Sequence, residues 1–425
     1  MFNNFLEVER YFNNRKLLGI KPGLDRINTL LQLLQHPENK TKSIHVAGTN
    51  GKGSTIHYIK NALIQNNYKV GVFVSPSPNG LTNYMFINDS PIDEQTFVEL
   101  LNVMYPVISI LDERNNHPTE FEIITVLAFL YFAESVDFAL IETGMGGRED
   151  TTNCFLPLLS IITNVSRDHM AFLGDSVHKI AYHKAGIIKY KTPAIVGPMP
   201  DEAMHVIERE ASSVHANLVR YGQDFQTHGT YYTHFSWKYR LYNILNINLQ
   251  MVGRHQQVNA AVAIMAIVKL IELEHFIDLD LAIKGIEKTQ VPGRFELVHR
   301  KPQIIVDGAH NEAGIQSFID TVKTVDDDTR FKHVIFAAYR DKDIPAMLKL
   351  LQGQFETITL TTFDHPRAAT ISELSNYVNE ENVFAIEDWQ KNIETVLNSS
   401  RSATDYYITG SLDFITKVKS MIAKE

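Results

Sequence analysis

Short apolar runs, partly β-branched, alternate with helical patterns along most of the chain. Segments 44–47, 69–74, 138–142, 159–164 and 194–197 have strand length, and several end in Gly, Ser, Asn or Thr. Segments 122–134 and 258–273 are apolar enough to be largely buried helices. Strands alternating with helices predict a parallel sheet covered by helices. Segment 231–239 breaks the pattern, because Tyr231, Tyr232, Phe235, Trp237 and Tyr239 recur at strand-like spacing. That spacing predicts an antiparallel appendage, with a base-stacking surface as the other reading. After Val291-Pro292-Gly293-Arg294 the alternation starts again, with predicted strands at 303–306, 333–336, 357–360, 383–386 and 405–409. The roughly 130 residues that remain suffice for a domain of their own.

Composition narrows the class. With 425 residues the chain exceeds one ordinary core, and two or three domains are expected. Apolar content of 44% and charge of 21% are those of a globular protein. A net charge of −9 argues against general binding to nucleic acid or anionic membrane. An anionic substrate would need a local basic pocket set against that field. The single cysteine, Cys154, cannot form an internal disulfide, which suits a reducing compartment. The start Met1-Phe2-Asn3-Asn4-Phe5-Leu6-Glu7 lacks the basic stretch and apolar core of a signal peptide, and no apolar run approaches a membrane span. A cytoplasmic protein is the expectation. Asp326-Asp327-Asp328 reads as a solvated loop rather than a metal site.

The run Ile44-His45-Val46-Ala47-Gly48-Thr49-Asn50-Gly51-Lys52-Gly53-Ser54-Thr55 carries the most chemistry. An apolar strand stops at a glycine-rich turn, and helix-compatible residues follow from 56 to 65. Such a turn points successive backbone N–H groups at one spot, and the helix adds its positive dipole end. Polyphosphate fits there, with the Lys52 ammonium as a point charge on the outer phosphates. A tight strand-to-helix turn with a solvated lysine is the bland alternative. The standard P-loop wants a glycine where Val46 stands and a hydroxyl residue where Gly53 stands. The metal-binding hydroxyl must then come from Ser54, from Thr55 or from elsewhere.

Further along, the hydroxyl of Ser75, after the second strand, has the spacing either of a turn residue or of a group facing the phosphate turn. Glu142 ends a predicted parallel strand and is followed by glycines, the place where open α/β sheets bind ligands. It could hold Mg²⁺ through one oxygen and waters, or simply be satisfied by loop N–H groups. His169, in Asn164-Val165-Ser166-Arg167-Asp168-His169, could ligate a metal or contact phosphate. Lys184 stands in a mostly apolar helical setting, where desolvation would make its amine reactive. Read alone, it fits a snorkelling surface lysine better.

Taken in order, these motifs resemble the folylpolyglutamate synthases and dihydrofolate synthases. Those are the folate branch of the ATP-dependent ligases that include the muramyl ligases. The resemblance runs from Gly19-Ile20-Lys21-Pro22-Gly23-Leu24 through the phosphate turn, Ser75-Pro76, Phe121-Glu122, the segment 142–153, Asp168-His169 and Lys184-Ala185-Gly186. It continues with Gly253-Arg254-His255-Gln256, Asn259-Ala260-Ala261, Pro292-Gly293-Arg294-Phe295-Glu296 and Asp307-Gly308-Ala309-His310-Asn311. Asp341-Lys342-Asp343 and Pro366-Arg367-Ala368 complete the series.

The resemblance implies an α/β fold. A P-loop-type, mostly parallel ATPase domain with a small antiparallel appendage would span 1–294, and a smaller Rossmann-like glutamate-ligase domain 295–425. It implies ATP and magnesium, in two ions, as cofactors. Thr49, Asn50, Gly51, Lys52, Gly53 and Ser54 would hold the phosphates, His255, Gln256 and Asn259 the adenine and ribose side, and Arg294 and Asp307 the nucleotide from the domain junction. Ser75, Glu142 and His169 would hold magnesium, and Lys184 would be carbamylated. Lys52, Lys184 and His310 are the expected catalytic residues. The expected partners are the small molecules ATP, L-glutamate and a folate or dihydropteroate, with no nucleic acid and no membrane, on a monomer.

The expected reaction converts a folate carboxylate to an acyl phosphate that the glutamate amine attacks. The family's usual loop after Ser-Pro carries an arginine, whereas this chain has Asn83-Tyr84-Met85. Glu149 stands where an apolar residue is usual, and Glu312 where proline is usual. A ligase of the same superfamily with another acceptor, and a non-catalytic paralogue that binds nucleotide or folate, are the alternatives.

Overall fold

The computed structural model describes residues 1–77, 80–229, 233–325, 330–377, 381–399 and 403–423. Eight strands form the first sheet: β1 (Lys42–Ala47), β2 (Val70–Phe73), β3 (Met85–Ile87), β4 (Ser90–Pro91), β5 (Phe138–Glu142), β6 (Leu159–Ile162), β7 (Ala194–Val196) and β8 (Leu218–Arg220). Their order is β4-β3-β2-β5-β1-β6-β7-β8. From β2 to β8 all neighbours are parallel, and β3 with β4 adds an antiparallel edge.

The central strands β2, β5 and β6 are buried at every residue, so both faces of the sheet need cover. Alternate side chains divide between two cores. Val46 and Leu140 pack with the helices Lys52–Gln65 and Arg254–Glu272. Ala139 and Ile141 pack with the helices Glu94–Glu113 and Glu120–Phe132.

The appendage is a three-stranded antiparallel sheet of β9 (Phe225–His228), β10 (His234–Tyr239) and β11 (Tyr242–Asn248), in the order β11-β10-β9. Its rings do not form a base-stacking surface. Trp237 is fully buried, Phe235 and Tyr239 nearly so, and all three pack against the helix Arg254–Glu272. Tyr231 and Tyr232 lie outside the described residues, as do Asp326, Asp327 and Asp328.

The second large sheet contains β12 (Glu296–Arg300), β13 (Gln303–Val306), β14 (Phe331–Phe336), β15 (Thr357–Leu360), β16 (Val383–Ala385) and β17 (Thr404–Thr409), ordered β12-β13-β17-β14-β15-β16. Only β12 is antiparallel to its neighbour. The sequence pattern misses β12 because this half-exposed edge strand mixes Glu296, His299 and Arg300 with few apolar residues.

Two helices begin earlier than their apolar runs suggest, at Lys52 and Arg254. In each case a glycine with positive φ precedes the first turn, Gly51 (82°) and Gly253 (117°), so polar residues make up that turn. Among the described residues, no helix is long and apolar enough to cross a membrane.

Candidate nucleotide and metal site

Strands β5, β1 and β6 are adjacent, so the loops leaving their carboxyl ends meet at one edge of the sheet. The loop after β1 is the glycine-rich turn. Its shape is held by β6: Asn50 N–H donates to Asn164 Oδ1 (3.0 Å), and Thr163 Oγ1 and Asn164 Nδ2 donate to Asn50 O (2.6 and 3.0 Å).

Two glycines of the turn are required by space. A Cβ on Gly48 would stand 1.9 Å from Thr163 Oγ1, and one on Gly51 2.3 Å from Asn259 Oδ1. Gly51→Ala must also carry a side chain at a φ of 82°. We expect it to lose about 1–3 kcal/mol of stability and to weaken ADP binding at least about tenfold, since the N–H groups that face phosphate are displaced. Thermal denaturation with and without ADP measures both.

Lys52 opens the helix that follows. Its Nζ donates to Gly48 O (3.1 Å) and Thr49 O (3.4 Å) and lies 3.7 Å from Glu142 Oε1. Glu142, at the end of β5, is buried. Desolvation pushes its carboxyl up to about 6, opposed by the charges of Lys52 and Arg294 and by the Ser75 N–H. Ser75 Oγ is itself buried and, among the described residues, has no hydrogen-bond partner. Among the described residues, no three His, Cys, Asp or Glu side chains gather to hold a metal.

The other side of the turn meets the start of the helix Arg254–Glu272, where Asn259 and Gln256 are buried and joined by a 3.2 Å hydrogen bond. The His255 ring lies against Gly253, where a Cβ would come within 2.7 Å of it. Its pKa is pushed down to about 4 by burial and by Arg294. Asp307, just after β13, accepts from the N–H groups of Phe295 and Ala309, both at 2.9 Å. Burial pushes its carboxyl up, opposed by Arg294. The Arg294 charge thus acts on Glu142, His255 and Asp307 alike.

Residues after β6 complete the site against the second sheet. Asp168 is buried and accepts from Lys342 Nζ (2.6 Å) and Asn311 Nδ2 (3.1 Å), with His310 Nε2 3.7 Å away. Asn311 and Asn50 exchange reciprocal amide hydrogen bonds at 3.0 Å. His169 follows at a φ of 51°, and its ring is exposed. Desolvation, then Lys342, pushes His310 down to about 4. Its Nδ1 lies 2.8 Å from Gly308 O, an acceptor only, so Nδ1 carries the proton and Nε2 the lone pair.

Lys184 is buried, 3% exposed, on the helix Val177–Ala185. The snorkelling reading is therefore wrong: the residue lies on a helix whose Ile180, Ala181 and Ala185 belong, with Ile187 and Ile188, to a buried apolar core. Desolvation, then the charge of Lys52, pushes the amine down to about 7.

Beside this centre runs a file of rings. Phe73 lies 6.4 Å from Tyr84 and 5.9 Å from Phe121, centroid to centroid. Burial pushes the Tyr84 phenol up to about 12, and the carboxylates of Glu120 and Asp413 add to the shift. The residue replacing the usual arginine is therefore neutral.

The structure thus gathers Thr49, Asn50, Gly51, Lys52, Gly53, Ser54, Ser75 and Glu142 around the turn, with Gln256 and Asn259 behind it. His169 follows Asp168, which meets His310 and Lys342 of the second sheet's loops, and Lys184 is buried on the helix that follows. The reading from residues alone assigns no role to Asp168, Lys342 or Asn164. Asp341-Lys342-Asp343 was the only local sign of Lys342, and a charged triplet is ordinarily a solvated loop.

Two family domains match the chain: the Mur ligase middle domain over residues 46–267 and the Mur ligase glutamate ligase domain over 293–412. A dihydrofolate synthase/folylpolyglutamate synthase of Bacillus subtilis is 37% identical, covering 99% of this chain and 100% of the relative. A folylpolyglutamate synthase of Lacticaseibacillus casei is 31% identical, covering 99% of each. The crystal structure of the Mycobacterium tuberculosis folylpolyglutamate synthase complexed with ADP and AMPPCP superposes with a TM-score of 0.89 at 26% identity, covering 99% of this chain and 98% of that one.

Proposed function

Because this chain belongs to the Mur ligase family, in its folylpolyglutamate and dihydrofolate synthase branch, we propose that its site activates a folate carboxylate with ATP for attack by L-glutamate. The chain is an ATP-dependent glutamate ligase. The observation that carries the site reading is the meeting of the turn, with Lys52 beside Glu142, and a second sheet whose His310 and Lys342 close over it.

The donor set fits magnesium. A buried Ser75 hydroxyl without a partner among the described residues, a buried carboxylate and an exposed imidazole leave room for waters and phosphate oxygens, as this hard cation prefers. A Cβ at Gly53 would stand 3.9 Å from Glu142 Oε2, so the hydroxyl of a standard P-loop would fall over this carboxylate. Ser75, in the loop after β2, would supply it instead. Held by Ser75, Glu142 and His169, magnesium would neutralise charge on the phosphates. Lys184 fits carbamylation, since an amine pushed down to about 7 is partly neutral and nucleophilic near neutral pH.

Lys52 leaves the carbonyls of Gly48 and Thr49 to meet the transferred phosphoryl oxygens, and the turn's N–H groups hold the phosphates in place. The acceptor carboxylate attacks the γ-phosphate, ADP leaves, and an acyl phosphate results. His310 is neutral with its lone pair on Nε2, so it can accept a hydrogen bond from the glutamate amine and orient it once the ammonium has lost its proton to solvent. Asp168, 3.7 Å from that nitrogen, helps to fix the ring. The amine then attacks the acyl carbon and phosphate leaves. His255, Gln256 and Asn259 meet the adenosine end, and Arg294 with Asp307 meets the nucleotide from the junction.

We take residues 1–294 and 295–425 as the two domains, the protein as a monomer and the cytoplasm as its place. Both dihydrofolate synthesis and tail extension are proposed, since one nucleotide and amine site serves either acceptor. The neutral Tyr84 favours a second reading, an altered acceptor. The test is glutamate-dependent ADP release with dihydropteroate and with tetrahydrofolate monoglutamate. Turnover with both is expected, and turnover with one names a single activity. Silence with both, while ADP binds, overturns the folate reading and directs an acceptor screen to the Tyr84 loop.

A further inference from the structure

We propose that Asp168 is a positioning residue that couples docking of the second sheet to placement of His169. One carboxylate does both jobs. Its Oδ1 accepts from the His169 backbone N–H at 2.8 Å and from Lys342 Nζ at 2.6 Å. Its Oδ2 accepts from Asn311 Nδ2 at 3.1 Å. Asp168 and Lys342 are 174 positions apart in the chain and belong to different sheets, and their side chains are only 7% and 6% exposed.

His169 has a left-handed backbone, φ 51°, which a non-glycine residue holds only when its surroundings enforce it. The Asp168 carboxylate enforces it from one side. That carboxylate is in turn fixed by two donors from the second sheet's loops. With those loops withdrawn, Asp168 would be a buried anion without its cation and would turn toward water, releasing the His169 N–H. The Asn50–Asn311 amide pair, 261 positions apart, extends the same contact to the phosphate turn. Closing the cleft and setting the imidazole are then one event, so the site is complete only when water is shut out.

The inference builds on the ligase reading, but its first test needs no turnover. Hydrogen exchange of the full-length protein is compared between wild type, K342M and D168N/K342M. In both variants we expect amides of 164–173 and 308–311 to exchange at least tenfold faster, with β10 unchanged as internal reference. The double variant leaves no unpaired charge, so wild-type protection there would reduce the effect to charge burial and overturn the latch. Unchanged exchange in K342M, or faster exchange in β10 as well, would also overturn it. In turnover, K342M should release severalfold more phosphate than it ligates glutamate. A role confined to stability would lower both together. A wild type with no turnover at all would count against the ligase reading, while the exchange result stands on its own.

Discussion

Lys184→Ala is expected to lower the ligation rate by about 10²–10³-fold, the usual effect of deleting one preorganised charge-stabilising group, while ADP binding stays within a few-fold. Desolvation and the charge of Lys52 push the buried amine down to about 7. Near pH 7 a sizeable fraction of the molecules, roughly half, then carries a neutral amine, against about one in three thousand for a free lysine. Only the neutral amine adds carbon dioxide. A carbamate formed there would be an anion under the influence of the Lys52 charge, where an ammonium would repel both Lys52 and a divalent cation.

Carbon-13 NMR of protein equilibrated with labelled bicarbonate should show one carbamate carbon that Lys184→Ala lacks. Acetate should restore part of the variant's activity by entering the vacated space. Lys184→Arg should stay inactive, because a guanidinium does not deprotonate. A wild type that works at full rate after removal of carbon dioxide would sink the role. The same shift has a stability sign. The folded value lies below the ordinary lysine value of 10.5, so the unfolded chain binds more protons between the two. The unmodified protein should gain stability as pH rises from about 7 toward 10.5.

Lys52→Ala should cost about 10²–10³ in kcat for a second reason, the loss of the only ammonium that opens onto the phosphate position from the turn itself. Two effects combine. Charge on the transferred phosphoryl group loses its partner, and Glu142 loses the cation 3.7 Å away that restrains its upward shift. The Glu142 carboxyl, already near 6, then rises further. A magnesium ion held by Glu142 would have to displace that proton, so the pH dependence of Mg²⁺ binding is expected to move to higher pH. Titration calorimetry with Mg²⁺ and ADP at several pH values reads this directly. Lys52→Arg should not recover the rate, since the planar fork cannot occupy the cradle between Gly48 O and Thr49 O. An alanine variant within threefold of wild type would refute the assignment.

Much of the fold was legible from local pattern. Strand-length apolar runs located β1, β2, β5, β6 and β7, because a strand buried on both faces has to be apolar throughout. The phosphate turn was legible for the same kind of reason. Its glycines, lysine and following helix are neighbours in the chain, and steric demand at Gly48 and Gly51 leaves little choice of residue. β12 was invisible, since a half-exposed edge strand needs no apolar run.

The sequence by itself therefore determined the buried central strands, the turn and, through ordered motifs, the family. Only the tertiary structure decided what lies between the elements. It buried Lys184, whose mostly apolar helical setting fits a snorkelling surface lysine as well as a desolvated one. It turned the aromatics of β10 inward. It joined Asp168 to Lys342 and Asn50 to Asn311 across 174 and 261 positions. Charge pairing and desolvation depend on distance in space, and periodicity along a chain carries no information about that distance.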